Sequence, residues 1–192
     1  MRTYLSTQER KRKRLLIPVI DKRTCFRPPR SFVFLNQAGS LEKFGWSGRN
    51  RSDLWRYNQH YFDWLTSMQS KKYSSEFLAI TISWLKENKN QTSVSWDPYP
   101  TSLRIINWIK AYYRDQPMPH EAVESLYMQC GNLYSRIEWH LMANHLIANA
   151  KALVFGGLFF DSSESEKWLK SGIKILLLEL EEQILEDGGH FE

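Results

Sequence analysis

The chain has 192 residues, the size of one ordinary domain, and its 42% hydrophobic and 24% charged residues are unlike a disordered or collagen-like chain. No apolar run approaches the roughly 18 residues that a membrane-spanning helix needs, so we expect no integral membrane association. The net charge is +5, but residues 1–30 hold ten basic and two acidic residues, whereas residues 31–192 hold 16 basic and 19 acidic ones. A nucleic-acid-binding fold carries basic side chains on its folded surface, so we expect no nucleic-acid partner.

The first 45 residues are expected to differ from the rest of the chain. Residues 1–30 begin with a basic arm, which is either a solvated extension or a segment that docks onto a polyanion. Turn signals such as the Arg27-Pro-Pro-Arg run follow, and one short extended piece is predicted at residues 32–35. We therefore divide the chain into a basic arm and loop segment, 1–45, and a helical domain, 46–192.

Apolar residues recur with helical spacing from residue 52 onward. The pattern predicts six helices, over residues 52–65, 74–87, 101–113, 119–139, 143–160 and 163–187. The Trp96-Asp-Pro-Tyr-Pro run predicts a loop before the third helix, because residues that precede proline are biased away from helical backbone. Ser163 and Glu166 predict a capping box at the start of the last helix. The short links favour antiparallel helical hairpins, so the predicted fold class is all-α.

The helix predicted at residues 143–160 is apolar or small on nearly every face, which is typical of a helix in a protein interior. It nevertheless carries Asn144, His145 and Asn149, whose polar groups must be hydrogen-bonded or face a cleft. A structural role, such as a helix cap or a satisfied core histidine, and a functional role are both compatible with this pattern.

The chain is rich in aromatic residues, with eight Trp, nine Tyr and ten Phe. The apolar face of a pyranose ring stacks on an aromatic plane, so such a composition is compatible with a carbohydrate-binding cleft. Most of these rings are nevertheless expected to pack in the core.

No metal-ligand spacing is found in the sequence. His140 and His145 lie five residues apart, whereas two ligands on one helix face need a spacing of three or four. Cys25 and Cys130 have no CxxC partner. We therefore predict no metal site, no disulfide scaffold and no cofactor.

Four ordered runs carry a more specific signal. They are LWRYNQHYFDWL from residue 54, WDPYPTSLRIINW from residue 96, HLMANHLIANAKAL from residue 140 and DGGHFE from residue 187. Together they make residues 30–192 resemble the N-terminal helical domain of the heparinase II/III-like polysaccharide lyases. The resemblance implies a partial α/α toroid of antiparallel helical hairpins, normally followed by a C-terminal β-sandwich that these residues lack. It also implies β-elimination of a uronic-acid-containing polysaccharide, either heparin- or heparan-sulfate-like or alginate-like.

By this resemblance, Asn144 and His145 are the catalytic pair. The carboxylate of a uronate opposes removal of the neighbouring C5 proton, so hydrogen bonds that strengthen as charge develops on it lower the barrier. The family's general-acid tyrosine normally follows the DGGHFE run, and no tyrosine of this sequence matches that position. We therefore expect the N-terminal part of a lyase with little activity by itself, its C-terminal half being absent or carried on another chain.

Substrate contacts are predicted for Arg104, Trp96, Tyr99 and His190, which all lie within the shared runs. An arginine is suited to bind a carboxylate or sulfate, and the alternative for Arg104 is a structural salt bridge or a helix-surface position. The expected partner is an acidic polysaccharide.

Two other classes of function stay open. A glycoside hydrolase needs two carboxylic acids across a cleft, for which Asp97 and Glu138 are the candidates. A non-catalytic carbohydrate- or polyanion-binding fragment would use an aromatic cleft and the basic arm without turnover. We find no export signal, which favours a cytoplasmic location, whereas the family resemblance favours a periplasmic or secreted one.

Overall fold

The computed structural model of the chain describes residues 25–67, 72–91, 93–141 and 143–190. Most of the predicted basic arm therefore lies outside the described residues. Helices account for most of the described part, as the all-α prediction requires. The helices are α1 (Leu41–Phe44), α2 (Asp53–Tyr61), α3 (Ser74–Glu87), α4 (Pro98–Tyr113), α5 (His120–Ser135), α6 (Ala143–Phe159) and α7 (Ser163–Gln183), with 3-10 turns at Asp63–Thr66 and Val94–Trp96.

A small antiparallel sheet precedes the helices, where the sequence predicted only one extended piece. Its strands are β1 (Phe26–Arg27), β2 (Ser31–Phe34) and β3 (Gln37–Ser40), in the order β1-β2-β3. Phe32 pairs with Gly39, and a Cβ at Gly39 would lie 2.6 Å from Trp55 Cζ2, so the glycine lets α2 pack against the sheet. Strands of two to four residues are too short to show the alternation that predicts strands.

The structure corrects one predicted helix start and one predicted helix cap. The predicted loop is shorter, because α4 already begins at Pro98, and a proline at the first helical position gives up no intrahelical hydrogen bond. The capping box of α7 consists of Ser162 and Ser165 instead of the predicted Ser163 and Glu166. Ser162 has the extended backbone that a cap needs, with φ −154° and ψ 163°.

Three helices end four residues earlier than predicted. α2 ends at Tyr61, because Phe62 adopts a left-handed conformation with φ +59° and starts a separate 3-10 turn. α5 ends at Ser135, and α7 ends at Gln183. Periodicity finds helices more securely than their last turns, which depend on local contacts.

Aromatic rings form the centre of the core, as expected for most of them. Trp64, Trp84 and Trp108 are fully buried and surround Phe62, with ring centroids 4.8, 5.9 and 5.4 Å from its ring. Trp84 and Trp108 meet Phe62 edge to face, the favourable arrangement for aromatic pairs. These tryptophans therefore serve packing.

α6 packs along both α4 and α7. Its contact with α7 brings two backbones together, because a Cβ at Gly157 would lie 2.7 Å from Leu169 N and a Cβ at Gly172 would lie 2.7 Å from Ala150 O. Only glycine fits at these two positions. This seam fixes α6 against α7, and the outer side of α7 exposes Ile173, Leu177, Leu178 and Leu180. Among the residues the structure describes, no helix is both long and apolar enough to cross a bilayer.

Candidate functional site

Asn144 and His145 lie in the first turn of α6. The helix begins at Ala143, whose φ of +47° lies in the left-handed region that residues with a Cβ rarely adopt. Asn144 is exposed, and 32% of the His145 side chain is exposed. The turn at Ala143 thus leaves both polar residues at the edge of an otherwise apolar helix.

His145 has one aromatic and one acidic neighbour. The ring of Tyr99, from α4, lies with its centroid 4.4 Å from that of the imidazole. His145 Nδ1 is shielded from solvent and lies 3.3 Å from Glu138 Oε2, within the range of an ion pair but outside hydrogen-bond geometry. The structure therefore brings together the predicted residues Tyr99 and His145.

Glu138 is held in place by Asn149, which lies one turn beyond His145 on α6. The Asn149 amide donates to Glu138 Oε2 at 3.0 Å and to Ser102 Oγ at 3.1 Å, and its oxygen accepts from Glu138 N at 2.9 Å. Asn149 is fully buried and Glu138 nearly so. The two residues form a cross-link between α4, α6 and the segment that precedes α6.

A groove of about 560 Å³ runs between α4, α6 and the C-terminal end of α7, and Asn144 and His190 both line it. His190 Nε2 lies 2.9 Å from Gln183 Oε1, and a β-bridge joins His190 to Ile184, so the end of α7 holds the imidazole at the groove. These two predicted residues are therefore brought to one concave surface, next to His145.

Two lysines that line the groove were not predicted from the sequence. Lys110 and Lys151 line it together with Asn144. Lys151 is seven residues from Asn144, a spacing that puts both on one helix face, so helical periodicity could have found it. The lining of the groove therefore includes two ammonium groups, which attract anions.

Arg104 and Trp96 lie in the core, apart from the groove. Arg104 has no exposed surface, and its guanidinium donates to Gln129 Oε1, His60 O and Thr101 Oγ1. Trp96 is 2% exposed and donates through its indole N–H to Asn88 O. Neither side chain is accessible to a polysaccharide in this arrangement. Arg104 is structural, but as a fully buried residue with three uncharged acceptors, which differs from the predicted alternative of a salt bridge or a helix-surface position.

Tyr99, which contacts His145, is one of three tyrosines with raised pKa values in this part of the chain. Tyr99 lies 6.0 Å from Tyr61, ring to ring, and the Tyr57 hydroxyl donates to Asp97 Oδ2 at 2.8 Å. Burial raises the pKa of each of the three phenols, with the Glu138 carboxylate adding to the effect at Tyr57 and Tyr99. Their hydroxyls therefore keep their protons at neutral pH.

The candidate acids of a glycoside hydrolase do not face each other across the groove. Asp97 accepts from Tyr57 and Glu138 accepts from Asn149, and neither carboxylate lines the groove. In the described ranges, no group of three or more His, Cys, Asp or Glu side chains is arranged to hold a metal ion.

The helical fold and the four ordered runs of sequence indicate the class of protein to which the chain belongs. The Heparinase II/III N-terminus family matches residues 43–192, and the chain belongs to this family.

The chain is also similar to individual proteins in sequence or in fold. A heparin-sulfate lyase of Bacteroides stercoris is 26% identical in an alignment over 182 residues. The alignment covers 77% of this chain and 27% of that protein. The crystal structure of the heparan sulfate lyase HepC from Pedobacter heparinus aligns with a TM-score of 0.60 at 22% identity, over 77% of this chain and 26% of that one. A mutant of HepC aligns with a TM-score of 0.57 at 22% identity, over 75% of this chain and 26% of that one. The likeness to the two structures is one of fold, and the chain spans about a quarter of the length of these relatives.

Proposed function

We propose that the chain is the N-terminal helical part of a lyase that cleaves a uronic-acid-containing polysaccharide by β-elimination, with Asn144 and His145 at the reacting sugar. The observation that carries this proposal is the groove in which Asn144 lies with Lys110 and Lys151, beside the partly exposed ring of His145. A polyanion would bind in such a groove through its carboxylates or sulfates.

In the proposed reaction a base removes the C5 proton of the uronate. The electron pair of the C5–H bond forms the C4–C5 double bond, the C4–O bond breaks, and the bridging oxygen takes up a proton. The amide of Asn144 donates hydrogen bonds to the uronate carboxylate, which becomes more negative in the transition state. His145 accepts or relays the C5 proton through its ring. We assign the proton donor to none of the described residues.

The class of polysaccharide that serves as substrate is proposed separately from the reaction. Heparan sulfate agrees with the names of the relatives, and the two lysines suit its sulfates as well as its uronate carboxylates. An alginate-like uronan would use the same carboxylate contacts. Of the four residues for which the sequence predicted substrate contacts, we keep Tyr99 and His190 in the proposal. Arg104 and Trp96 are left out because they are buried.

The test measures binding and turnover separately. The purified chain is titrated with heparan sulfate and with alginate by calorimetry, and turnover is followed by the ultraviolet absorbance of the unsaturated uronate. We expect salt-sensitive binding to heparan sulfate that Asn144→Ala weakens about tenfold. Lys151→Ala should weaken it less, and the control Lys170→Ala, at an exposed position on α7, should leave it unchanged.

Turnover is expected to be very low, because loss of a general acid costs about 10²–10⁴-fold. Binding without any turnover, even when the remainder of the protein is present, would favour a non-catalytic polyanion-binding module. Turnover abolished by Tyr99→Phe would assign the proton donor to Tyr99. Absence of both binding and turnover would contradict the proposal.

A further inference from the structure

Glu138 is a buried carboxylate that the proposed reaction does not use. Glu138 lies in the segment between α5 and α6, and its Oε2 is 3.3 Å from His145 Nδ1. A buried carboxylate needs hydrogen-bond donors, and here Asn149 supplies one. The position of Glu138 is therefore determined by the protein and does not depend on a ligand.

The surroundings of His145 favour one tautomer of its ring. Nδ1 has no access to solvent, and among the described residues the Glu138 carboxylate is the acidic group that lies beside it. An unprotonated Nδ1 would direct its lone pair at a carboxylate oxygen, which is repulsive, whereas an Nδ1–H bond is attracted to it. The favoured neutral form thus carries its proton on Nδ1 and leaves Nε2 with a free lone pair.

The carboxylate is anchored independently of the histidine. Asn149 holds both the Oε2 atom and the backbone N–H of Glu138, and it also donates to Ser102, whose hydroxyl donates to Pro98 O on α4. Asn149 therefore joins three structural segments and anchors the Glu138 carboxylate to them. The face of the ring is packed against Tyr99, so the histidine is restrained in both orientation and position.

We infer that Glu138 is a positioning residue: anchored by Asn149, it holds His145 in the Nδ1–H tautomer so that Nε2 is the nitrogen available to the substrate. This inference rests on the proposed function for its significance, since Nε2 is then the atom that accepts a proton or a hydrogen bond at the reacting sugar. The tautomer itself is a property of the chain without substrate, and it can be measured separately.

The experiment is long-range ¹H–¹⁵N spectroscopy of the histidine rings in the ¹⁵N-labelled chain at a pH where they are neutral. His145→Gln identifies the signals of His145. The wild-type chain is expected to show the Nδ1–H tautomer at His145, and Glu138→Ala should lower the ratio of Nδ1–H to Nε2–H about tenfold, because the variant loses the electrostatic attraction between Nδ1–H and the buried carboxylate 3.3 Å away. His120, exposed at the start of α5 beside Glu124, serves as the internal control and should not change.

Glu138→Gln covers the case in which Glu138→Ala does not fold. The glutamine oxygen can still accept from Asn149 and place a partial negative charge beside Nδ1, but it lacks the full charge, so the ratio should fall less than in Glu138→Ala. An Nε2–H tautomer in the wild-type chain, or an unchanged ratio in every variant that keeps the wild-type circular dichroism, would overturn the inference. Failure of polysaccharide binding with the tautomer shift intact would refute the proposed function alone.

Discussion

The close contact between α6 and α7 at Gly157 is open to a direct test by Gly157→Ala. The added Cβ would lie 2.6 Å from Leu169 Cβ, 2.7 Å from Leu169 N and 2.8 Å from Leu169 Cα. Two of these three atoms belong to the backbone of α7, so a change of rotamer cannot relieve the overlap. The helices would have to separate by about 1 Å to restore ordinary van der Waals distances.

The expected cost follows from two opposing effects. Overpacking a well-packed contact costs about 1–3 kcal/mol, and a clash with backbone puts this position near 3 kcal/mol. Alanine is about 1 kcal/mol more favourable than glycine inside a helix, which offsets part of the loss. We expect Gly157→Ala to lower the free energy of unfolding by about 2 kcal/mol, equivalent to a fall of roughly 4–8 °C in melting temperature for a chain of this size.

Gly131→Ala is the matched control. Gly131 lies inside α5, and a Cβ there would come no closer than 3.8 Å to Trp168 Cζ2. Only the gain in helix propensity remains, so this variant should be stabilised by about 1 kcal/mol. Urea denaturation followed by circular dichroism measures both, and the difference of about 3 kcal/mol isolates the steric effect because the propensity gain cancels. Equal stability of the two variants would refute the close packing of α6 on α7.

Ala143→Gly should raise the melting temperature by about 2 °C, because glycine adopts the left-handed backbone without the cost of a Cβ. Arg104→Lys should lower the free energy of unfolding by about 2–3 kcal/mol, since lysine cannot reach the three acceptors of the guanidinium. Stability should fall as the pH rises above about 10, because burial raises the pKa of Tyr57 and Tyr61 and the unfolded chain loses these protons first; Tyr57→Phe should reduce that fall. Leu177→Glu should reduce concentration-dependent association in sedimentation, because Leu177 is 66% exposed on an apolar helix face.

Each of these four predictions has a control. Ala152→Gly, in the middle of α6, should destabilise, and a melting temperature lowered equally at residue 143 would argue against backbone strain there. Arg49→Lys, at an exposed arginine, should have little effect, and an equally small effect at Arg104 would contradict its structural role. For Tyr57→Phe the control is the same comparison at about pH 7, where the phenol is protonated in the folded and the unfolded chain, and an unchanged loss of stability above about pH 10 would contradict the prediction. Leu54→Glu introduces the same charge on α2, and equal effects of the two glutamates would show that α7 is not the associating face.

Helical periodicity was sufficient to locate most of the helices. Apolar residues spaced for one helix face predicted α3 at its observed bounds and placed α4, α5 and α6 within a few residues. Helix ends were less predictable, because they depend on single backbone conformations such as the positive φ of Phe62. The extended piece predicted at residues 32–35 corresponds to β2, whereas β1 and β3 were missed because strands this short show no repeating pattern.

The unusual composition of α6 also located the candidate site. Polar residues on an apolar helix require partners, and Asn144 and His145 indeed lie at its exposed first turn while Asn149 is fully buried and hydrogen-bonded. The sequence could not show which of the three serves structure, because each amide and imidazole can be satisfied by the protein or by a ligand. The partners of Asn149 lie 11 and 47 residues away.

The amino-acid sequence by itself determined the helical class, the family and the element that carries the candidate site, because these depend on local periodicity and on ordered runs of residues. The tertiary structure alone decided which polar side chains are accessible. Arg104 has the chemistry of an anion-binding residue, but contacts with Gln129 and His60, far away in the chain, place it in the core. Lys110, Lys151 and His190 come from three different segments and form one groove only because α4, α6 and the end of α7 pack together. Accessibility and convergence are properties of long-range packing, which no local pattern in the sequence encodes.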